Sequence, residues 1–206
     1  NKKVEIGNCR SVHCGHLLLL PLYNKLGLAK FSAQVKARHR FKYDFADILC
    51  KLVMCRILFP DSKRATRECL NDFIDAPDFS LDDIYNFLGT LSKEITPLQR
   101  SIYEATKNEL SRRTGVIYYD CTNYYFEIEK EDNLRRYGKS KEHRPNPIVQ
   151  MGMFMDADGL PLAFCINPGN TNEQQTMQPL EEILANEFNL SEFVVCTDAG
   201  LASIDN

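Results

Sequence analysis

The fold is decided by the stretch Val116-Ile117-Tyr118-Tyr119-Asp120-Cys121-Thr122, a β-branched and aromatic run that leads into a carboxylate. A second run of this kind, Phe193-Val194-Val195-Cys196-Thr197, leads into Asp198. Both patterns predict short apolar strands. A carboxylate that a rigid strand holds before a turn suits a hard divalent cation, because such ions need fixed oxygen ligands. We therefore expect Asp120 and Asp198 to lie at the polar ends of two strands and to be candidate metal ligands.

Between these two runs the sequence predicts the rest of a sheet. Residues 124–126 are again aromatic, and two continuous apolar runs follow at residues 148–155 and 160–166. The tetrapeptide Asp156-Ala157-Asp158-Gly159 between them is typical of a tight hairpin turn in which the glycine supplies a positive φ. Residues 176–188 have helical spacing. The predicted order is therefore strand, strand, strand, helix, strand.

Residues 44–113 carry helical signals, and the sequence predicts three helices there. A proline closes the first, the capping-box pair Ser80 and Asp83 opens the second, and Thr96-Pro97 opens the third. The apolar stripes of these helices indicate one helical unit before the sheet. The predicted helices cover residues 44–59, 81–91 and 96–113.

Composition indicates a globular protein. The chain has 206 residues, of which 44% are hydrophobic and 26% charged, which is enough for one substantial core and a smaller appended unit. It contains no run of about 18 apolar residues, so we expect no membrane span. Most of the eight cysteines lie in apolar segments, which favours reduced thiols and a cytoplasmic location. The sequence does not begin with Met, and we expect it to be a piece of a longer protein.

A possible zinc site lies near the start of the chain, in the group Cys9, His13, Cys14 and His16. The spacing matches no common zinc motif, and no second half follows at the usual distance. We favour a plain turn here over a metal site.

Charge is distributed unevenly along the chain, although the net charge is only −3. Residues 1–115 hold 19 Lys and Arg against 13 Asp and Glu, whereas residues 116–206 hold 6 against 15. A basic half can approach phosphates, and an acidic half is typical of a metal site among solvated carboxylates. Ordinary surface charge explains the same counts, and from charge alone it is the preferred interpretation.

Five motifs in a fixed order carry a more specific resemblance. They lie in the two aspartate strands and the three turns between them, and together they resemble the catalytic domain of DDE transposases of the IS4 superfamily, IS1634 type. The resemblance implies an α/β (α+β) fold, namely a partial ribonuclease-H-like mixed sheet preceded by a helical domain. The motifs are 118–126, His143-Arg144-Pro145, Asp158-Gly159-Leu160-Pro161-Leu162, Pro168-Gly169-Asn170-Thr171-Asn172-Glu173 and Thr197-Asp198-Ala199-Gly200.

The resemblance also implies roles and a domain division. Asp120 is expected to bridge two Mg²⁺ or Mn²⁺ ions, Asp198 to bind one of them, and a downstream glutamate to complete the set, although the sequence ends at Asn206 before that acid. Residues 1–43 remain unassigned, residues 44–115 are a possible DNA-binding helical domain, and residues 116–206 are the partial catalytic domain. Implied partners are transposon-end and target DNA and a second copy of the chain on that DNA, in a cytoplasmic, nucleoid-associated location.

Each aspartate also has a purely structural interpretation. Asp120 would cap a turn at a strand end, and Asp198 would be an N-cap or turn residue before Gly200. Thr122 and Asn123 are at most neighbours that orient the Asp120 carboxylate.

All six basic residues of the acidic half lie in the segment 130–144, between the first two predicted strands. It is either a DNA-contacting loop, with Tyr137 stacking on a base, or a solvated mobile connection, and the sequence gives both equal weight. The loop 169–172 is more easily explained as a turn into the next helix than as a DNA contact. The candidate DNA-binding residues are Arg135, Arg136, Lys139, Lys141 and Arg144.

The first functional hypothesis is a transposase that cleaves and joins DNA by a two-metal mechanism, present as a fragment that is inactive alone. The alternative is a non-catalytic remnant that still binds DNA. An open reading frame past Asn206 with a Tyr-x2-Arg-x3-Glu-x6-Lys pattern would separate them. A metal-dependent phosphatase is a weaker third hypothesis, because it gives the hairpin and the 169–172 loop no role.

Overall fold

The computed structural model describes residues 11–190 and 192–197. The chain divides into two compact units, Asn1–Ala105 and Thr106–Asn206. Within the described ranges, no helix has both the length and the apolar character that crossing a membrane requires.

The described part of the first unit is helical. Its core is formed by fully buried aromatic and aliphatic side chains from three helices, with Phe31 and Val35 from α2, Phe45 and Ile48 from α3, and Phe87 from α5. Burial of such side chains contributes roughly 1.5–3 kcal/mol each to folding. The helices are α1 (Leu20–Lys25), α2 (Leu28–Arg38), α3 (Phe45–Leu58), α4 (Lys63–Cys69), α5 (Leu81–Leu91) and α6 (Ile95–Glu109), with single 3₁₀ turns at Gly15–Leu18 and Leu70–Asp72.

Two of the predicted helices are confirmed, and the second also has its predicted capping box. The Asp44 carboxylate accepts hydrogen bonds from the main-chain nitrogens that follow it and starts α3, which ends just before Pro60. At α5 both bonds of the predicted capping box are present, since Asp83 N donates to Ser80 Oγ and Ser80 N donates to the Asp83 carboxylate. Local polar residues therefore determine where these helices begin.

Residues 11–43, for which the sequence predicted no elements, contain α1 and α2. Tyr23, Leu28 and Phe31 from this segment pack into the same core as α3 and α5. Pro21 and Gly27 interrupt the apolar periodicity, and Gly27 adopts a positive φ of 75° between the two helices. The six residues of α1 are too few for a helical pattern to be recognised, whereas the spacing of Leu28, Phe31 and Val35 in α2 was an available helical signal.

The third predicted helix is too long by four residues. We expected it to reach Arg113, but α6 ends at Glu109. Beyond it Arg112 donates from Nε to Asp156 Oδ2 at 2.5 Å and from Nη2 to Leu160 O at 3.1 Å, so its side chain serves the β-hairpin of the second unit. Tertiary pairing of the arginine thus overrides the helical propensity of this stretch.

The second unit is a four-stranded mixed sheet with one helix. Strand β1 (Val116–Tyr125) pairs antiparallel with β2 (Ile148–Asp156), and β2 pairs antiparallel with β3 (Pro161–Pro168). After α7 (Gln178–Phe188), strand β4 (Val194–Thr197) pairs parallel with β1. The sheet order is β3-β2-β1-β4, and the buried side chains Leu180, Leu184 and Phe188 pack α7 against the sheet. The predicted order of strands and helix is confirmed.

The turns of the sheet form where the sequence predicts them. Gly159 has a φ of 76° in the β2–β3 hairpin, as expected for the predicted tight turn. The segment after β3 is also a turn, since Thr171 N donates to Pro168 O at 2.9 Å, and it enters a 3₁₀ turn at Glu173–Thr176 before α7. The helix predicted over residues 176–188 therefore begins slightly later than expected.

The prediction that Asp120 lies at the end of a strand is wrong. Strand β1 is continuous over ten residues, and Asp120 is in its middle, opposite Met153 of β2. The polar residues Thr122 and Asn123 continue the ladder because β2 is long enough to pair with all of β1 through Tyr125. Pairing with β2 therefore makes Thr122 and Asn123 part of the strand, where a turn was expected.

The buried ion pair at the β2–β3 hairpin provides a stability test. Arg112 and Asp156 expose 3% and 0% of their side chains, and Asp156 also accepts hydrogen bonds from Asp158 N and Leu160 N. Arg112→Met leaves a buried carboxylate without its cation, so we expect a loss of about 3–5 kcal/mol in the free energy of unfolding. Urea unfolding followed by circular dichroism measures this loss.

The neighbouring arginine is the matched control. Arg113 pairs with Asp158 on the surface, with 66% and 40% of the side chains exposed. Arg113→Met should leave the free energy of unfolding nearly unchanged, because water screens this exposed pair. Equal losses for the two variants would contradict a special role for the buried pair.

Candidate functional site

The Asp120 carboxylate is presented to solvent by the alternation of β1. Its neighbours Tyr119 and Cys121 are buried, whereas the Asp120 side chain is 66% exposed. Cys121 N donates to Asp120 Oδ1 at 2.8 Å, which fixes the direction of the carboxylate. The strand therefore provides a rigid, accessible acid, although not at a strand end.

The second candidate acid, Asp198, lies outside the described residues. What the structure describes is the ladder leading to it, in which Tyr118 pairs with Cys196 and Tyr119 pairs with Thr197. In the sequence, Asp120 follows Tyr119 and Asp198 follows Thr197. Convergence of the two aspartates thus remains a prediction.

The basic segment between β1 and β2, residues 126–147, is a folded connection. Arg136 and Ile148 exchange two main-chain hydrogen bonds of 3.0 and 2.8 Å, and Gly169 N donates to Leu134 O at 3.2 Å. At Gly138 the chain passes so near Gly169 that a Cβ on residue 138 would lie 1.9 Å from Gly169 O. Main-chain hydrogen bonds and this close contact therefore hold the connection against the beginning of β2 and the turn after β3.

Acidic side chains organise the first part of this connection. The Asp132 carboxylate accepts hydrogen bonds from Leu134 N at 2.9 Å and from Arg135 N at 2.6 Å. The main-chain and side-chain donors of Arg135, followed by Leu134 N, lower the pKa of Asp132 to about 2. Glu131 in turn accepts from Tyr137 N at 2.6 Å. Both carboxylates hold turns of the main chain.

Each of the three candidate arginines lies beside an acidic side chain, and two of them also lie over an aromatic ring. Arg135 pairs with Asp132 at 2.5 Å and lies over the Phe126 ring, and Arg136 Nη1 is 3.5 Å from Glu131. Arg144 lies over the Tyr125 ring, 4.9 Å from its centroid, and 3.7 Å from Glu142. Their positive charge is therefore partly compensated within the connection.

Lys141 is the candidate basic residue that the structure brings to Asp120. Its Nζ lies 3.9 Å from Asp120 Oδ1 and donates a hydrogen bond to Cys121 O. Asn123 does not orient the aspartate but binds the connection, since its amide reaches Lys139 O at 3.5 Å and its Oδ1 accepts from Lys141 N at 3.3 Å. Tyr137, a candidate stacking residue, donates its hydroxyl to Glu129 O at 2.9 Å.

A buried polar cluster on the other face of β1 was missed by the sequence analysis. The Tyr119 hydroxyl contacts Thr176 Oγ1, and the Cys121 thiol lies 3.5 Å from Gln150 Oε1. Burial raises the pKa of Tyr119, so its hydroxyl is neutral at physiological pH. Gly152 makes room for the ring, since a Cβ there would lie 2.7 Å from the Tyr119 hydroxyl oxygen. This glycine inside an apolar strand was the available signal.

The two histidines of the possible zinc group pack against Phe73. The ring centroids of His16 and Phe73 are 4.6 Å apart, and His16 Nε2 is 2.8 Å from Asp75 Oδ1. His13 lies 4.8 Å from the Phe59 ring. Cys9 lies outside the described residues. Over residues 11–190 and 192–197, no three metal-binding side chains converge.

The cysteines that the structure records are free thiols. They are Cys14, Cys50, Cys55, Cys69, Cys121, Cys165 and Cys196. Burial raises the pKa of Cys55 to about 11, so this thiol is protonated and packs as a small apolar side chain.

Asp120 is the one residue of the predicted metal pair that the structure describes. A carboxylate oxygen is a preferred ligand of Mg²⁺ and Mn²⁺, but the cation that the structure places beside Asp120 is the Lys141 ammonium group. Asp120 supplies one ligand, so further ligands would have to come from Asp198, water and a phosphate.

Comparison with known proteins assigns no family. No protein-family model matches the chain, and no curated protein matches it significantly. A solved structure with partial similarity is the Mos1 transposase paired-end complex with left transposon end, at 11% identity and a TM-score of 0.30, covering 81% of this chain and 55% of that chain. The chain thus spans about half the length of that protein. Similarity at this level carries no argument about fold or function.

The close approach of Gly138 and Gly169 can be tested directly. Gly138→Ala should separate the connection from the turn after β3, because the new Cβ would overlap Gly169 O. We expect lost protection against hydrogen exchange at Arg136 N and Ile148 N, at least tenfold, which corresponds to about 1.4 kcal/mol.

Gly115→Ala is the control, because a Cβ at residue 115 meets no atom within 4 Å. It should leave the exchange of both amides unchanged. Retained protection in Gly138→Ala would show that the connection does not depend on this contact.

Proposed function

We propose that the chain is part of a DDE transposase of the IS4 superfamily, IS1634 type, which cleaves and joins the DNA of an insertion sequence. The observation that carries this proposal is the position of Asp120. It is an exposed acid on the central strand of a sheet in which β1 lies between antiparallel β2 and parallel β4. Three antiparallel strands, a helix and a parallel fourth strand beside the first are the order that we expect at the beginning of the proposed ribonuclease-H-like sheet.

The strand register supports a shared site for the two aspartates. Parallel pairing matches Tyr118 with Cys196 and Tyr119 with Thr197. If the same register continued by one step, Asp120 would be opposite Asp198, on neighbouring strands about 4.8 Å apart. Side chains on paired residues of neighbouring strands point to the same face. Under this proposal both carboxylates therefore reach one Mg²⁺ or Mn²⁺ centre.

The chemistry follows from two metal ions at such a centre. Bound there, they would activate the attacking oxygen and stabilise the leaving oxygen of a phosphodiester. Under this proposal the chain's own part would be to supply Asp120 and Asp198 as ligands and to place the basic connection near the DNA backbone. No glutamate follows Asp198 in the sequence, so the third acid of such a site is absent from these 206 residues. We accordingly propose that this chain alone does not cleave DNA.

A non-catalytic DNA-binding remnant is the second candidate function. It is favoured by the fact that Asp120 already has a cationic neighbour, Lys141, and by the five basic candidates gathered on one connection. This function requires DNA binding without a metal centre, so metal binding separates the two candidates.

Metal binding at the two aspartates tests the proposed function. We expect the chain to bind Mn²⁺ weakly, and Asp120→Asn and Asp198→Asn each to abolish binding because each removes a charged ligand. Water-proton relaxation during Mn²⁺ titration measures this, with Asp158→Asn on the β2–β3 hairpin as the control that retains binding. We also expect no strand cleavage of duplex DNA by the chain with Mg²⁺ or Mn²⁺.

Two outcomes would contradict these expectations. Mn²⁺ binding that survives in both aspartate variants would place the metal elsewhere and remove the basis of the transposase proposal. Robust DNA cleavage that Asp120→Asn abolishes would show that the chain is active without a third acid.

DNA binding by the connection is tested by Arg135→Ala combined with Arg136→Ala. If both side chains contact phosphates, the pair should weaken binding to a random duplex and reduce the slope of log affinity against log salt by about 1.8. Fluorescence anisotropy at several salt concentrations measures both. Arg113→Ala, at the opposite end of β1, is the control. An unchanged affinity and slope in the double variant would assign the connection to structure alone.

A further inference from the structure

The described start of the chain carries charge of one sign. Residues 11–43 hold six Lys and Arg and no Asp or Glu, although the whole chain has a net charge of −3. Five of the six lie on α2 and the segment after it, and all five are exposed, namely Lys30, Lys36, Arg38, Arg40 and Lys42. We infer that α2 and the segment 39–43 form a surface that binds the phosphates of duplex DNA.

The amphipathic pattern of α2 directs its charge outward. Its buried side chains face the core and are Leu28, Phe31, Ser32 and Val35. Lys30 lies on the opposite face, one turn from Gln34 and two turns from Ala37, and all three are exposed. Since α2 contains no acidic residue, this face presents only positive charge over a length of roughly 16 Å.

Two of the five cations have acidic partners on neighbouring elements. Lys36 Nζ donates to Asp44 Oδ1 at 3.2 Å, and Arg38 Nη2 donates to Glu94 Oε2 at 2.6 Å. Five cations against these two acids leave a net charge of +3 on the surface. The cations without an acidic partner in the described parts of the chain are Lys30, Arg40 and Lys42.

The segment after α2 alternates between aromatic and basic side chains. His39, Phe41 and Tyr43 form a row of rings whose centroids are 5.7 and 5.2 Å apart, and Phe41 also stacks on a buried phenylalanine of α3. Arg40 and Lys42 alternate with these rings in the sequence and are exposed. Packing of the rings therefore fixes the main chain that carries the two cations.

Both ends of this segment are held by polar contacts. The Glu94 carboxylate is 11% exposed and lies 2.6 Å from Arg38 Nη2 and 3.1 Å from His39 Nε2. At the other end the Tyr43 hydroxyl lies 3.4 Å from Thr90 Oγ1. A path that is already ordered loses little conformational entropy when a ligand binds to it, so its charges are available for binding at low cost.

Duplex DNA is the partner that this surface fits best. A run of cations without intervening acids suits the regular phosphates of a duplex, and each Lys or Arg that neutralises a phosphate releases counterions. An anionic membrane attracts the same charge, but a helix that lies on a membrane also inserts a large apolar face. Between residues 23 and 56 every large apolar side chain is buried or half-buried. The surface therefore offers charge without the apolar side chains that a membrane requires.

This inference goes beyond the proposed function and does not depend on it. The DNA contacts proposed above lie on the connection of the second unit, whereas this surface lies in the first unit, on residues to which the sequence assigned no role. It requires neither of the two aspartates and no metal ion.

Arg40→Ala combined with Lys42→Ala tests the surface in the whole chain. Both side chains are exposed, so the fold should survive, and circular dichroism checks this. If both contact phosphates, binding to a random duplex should weaken about tenfold or more at about 0.1 M salt, and the slope of log affinity against log salt should fall by about 1.8. Fluorescence anisotropy at several salt concentrations measures both quantities.

Arg56→Ala combined with Arg64→Ala is the matched control. It removes the same charge from exposed positions of the same unit. Arg56 lies near the end of α3, roughly 16 Å along the helix from the segment 39–43. The control should leave the salt slope unchanged.

A second readout follows the lysines themselves. Acylation by a small N-hydroxysuccinimide ester, quantified by peptide mass spectrometry, should label Lys30 and Lys42 more slowly when duplex DNA is saturating. Labelling of Lys63 on α4 should stay constant.

The outcomes are distinct. A reduced slope in the Arg40 and Lys42 variant alone, with protection of Lys30 and Lys42, supports the inference. Absence of duplex binding by the unsubstituted chain, an equal loss in the control, or binding to phosphatidylserine-rich vesicles that duplex DNA does not displace overturns it. A slope that changes only in the Arg135 and Arg136 variant also overturns it and leaves the DNA contact on the connection. Mn²⁺ binding is a separate measurement, so failure of the proposed metal site leaves this surface standing.

Discussion

The hydrogen-bonded ladder along both edges of β1 is the constraint on which the second unit depends. On one edge, nine residues from Ile117 to Tyr125 pair with β2, and on the other, Val116 to Tyr119 pair with β4. This double pairing determines which side chains face α7 and which face solvent, because a one-residue slip would reverse them all. The exposure of Asp120 and the burial of Tyr119 are two results of the same register.

Much of this sheet could be predicted from local sequence. The hairpin is indicated by Gly159, strand β2 by its apolar run and helix α7 by its residue spacing. In the first unit, the pair Ser80 and Asp83 indicates the start of α5. These signals are local, since each depends on residues within a few positions of one another. They gave the order of elements without any knowledge of partners.

The errors arise where a distant partner decides the structure. Nothing near Thr122 shows that β2 extends far enough to continue the strand past Asp120. Likewise, Arg112 follows a helical pattern but pairs with Asp156, which is 44 residues away in the chain. The approach of Lys141 to Asp120 depends on Asn123 and on the path of the connection. Such contacts form only when the whole unit has folded, and they produce no periodic pattern in the sequence.

The contact between Gly138 and Gly169 shows that main-chain atoms help to set the path of the connection between β1 and β2. Because main chain meets main chain there, and Arg136 and Ile148 also join through main-chain atoms, the path is held by groups that every residue possesses. Some side chains also bind main-chain atoms of the path, namely those of Asn123, Glu131, Asp132, Tyr137 and Ser140. The other exposed side chains contribute charge and shape to the surface. Exposed positions of the connection can therefore diverge widely between related proteins while its course and length stay the same, so a change in the ligand it recognises would need no change in the fold.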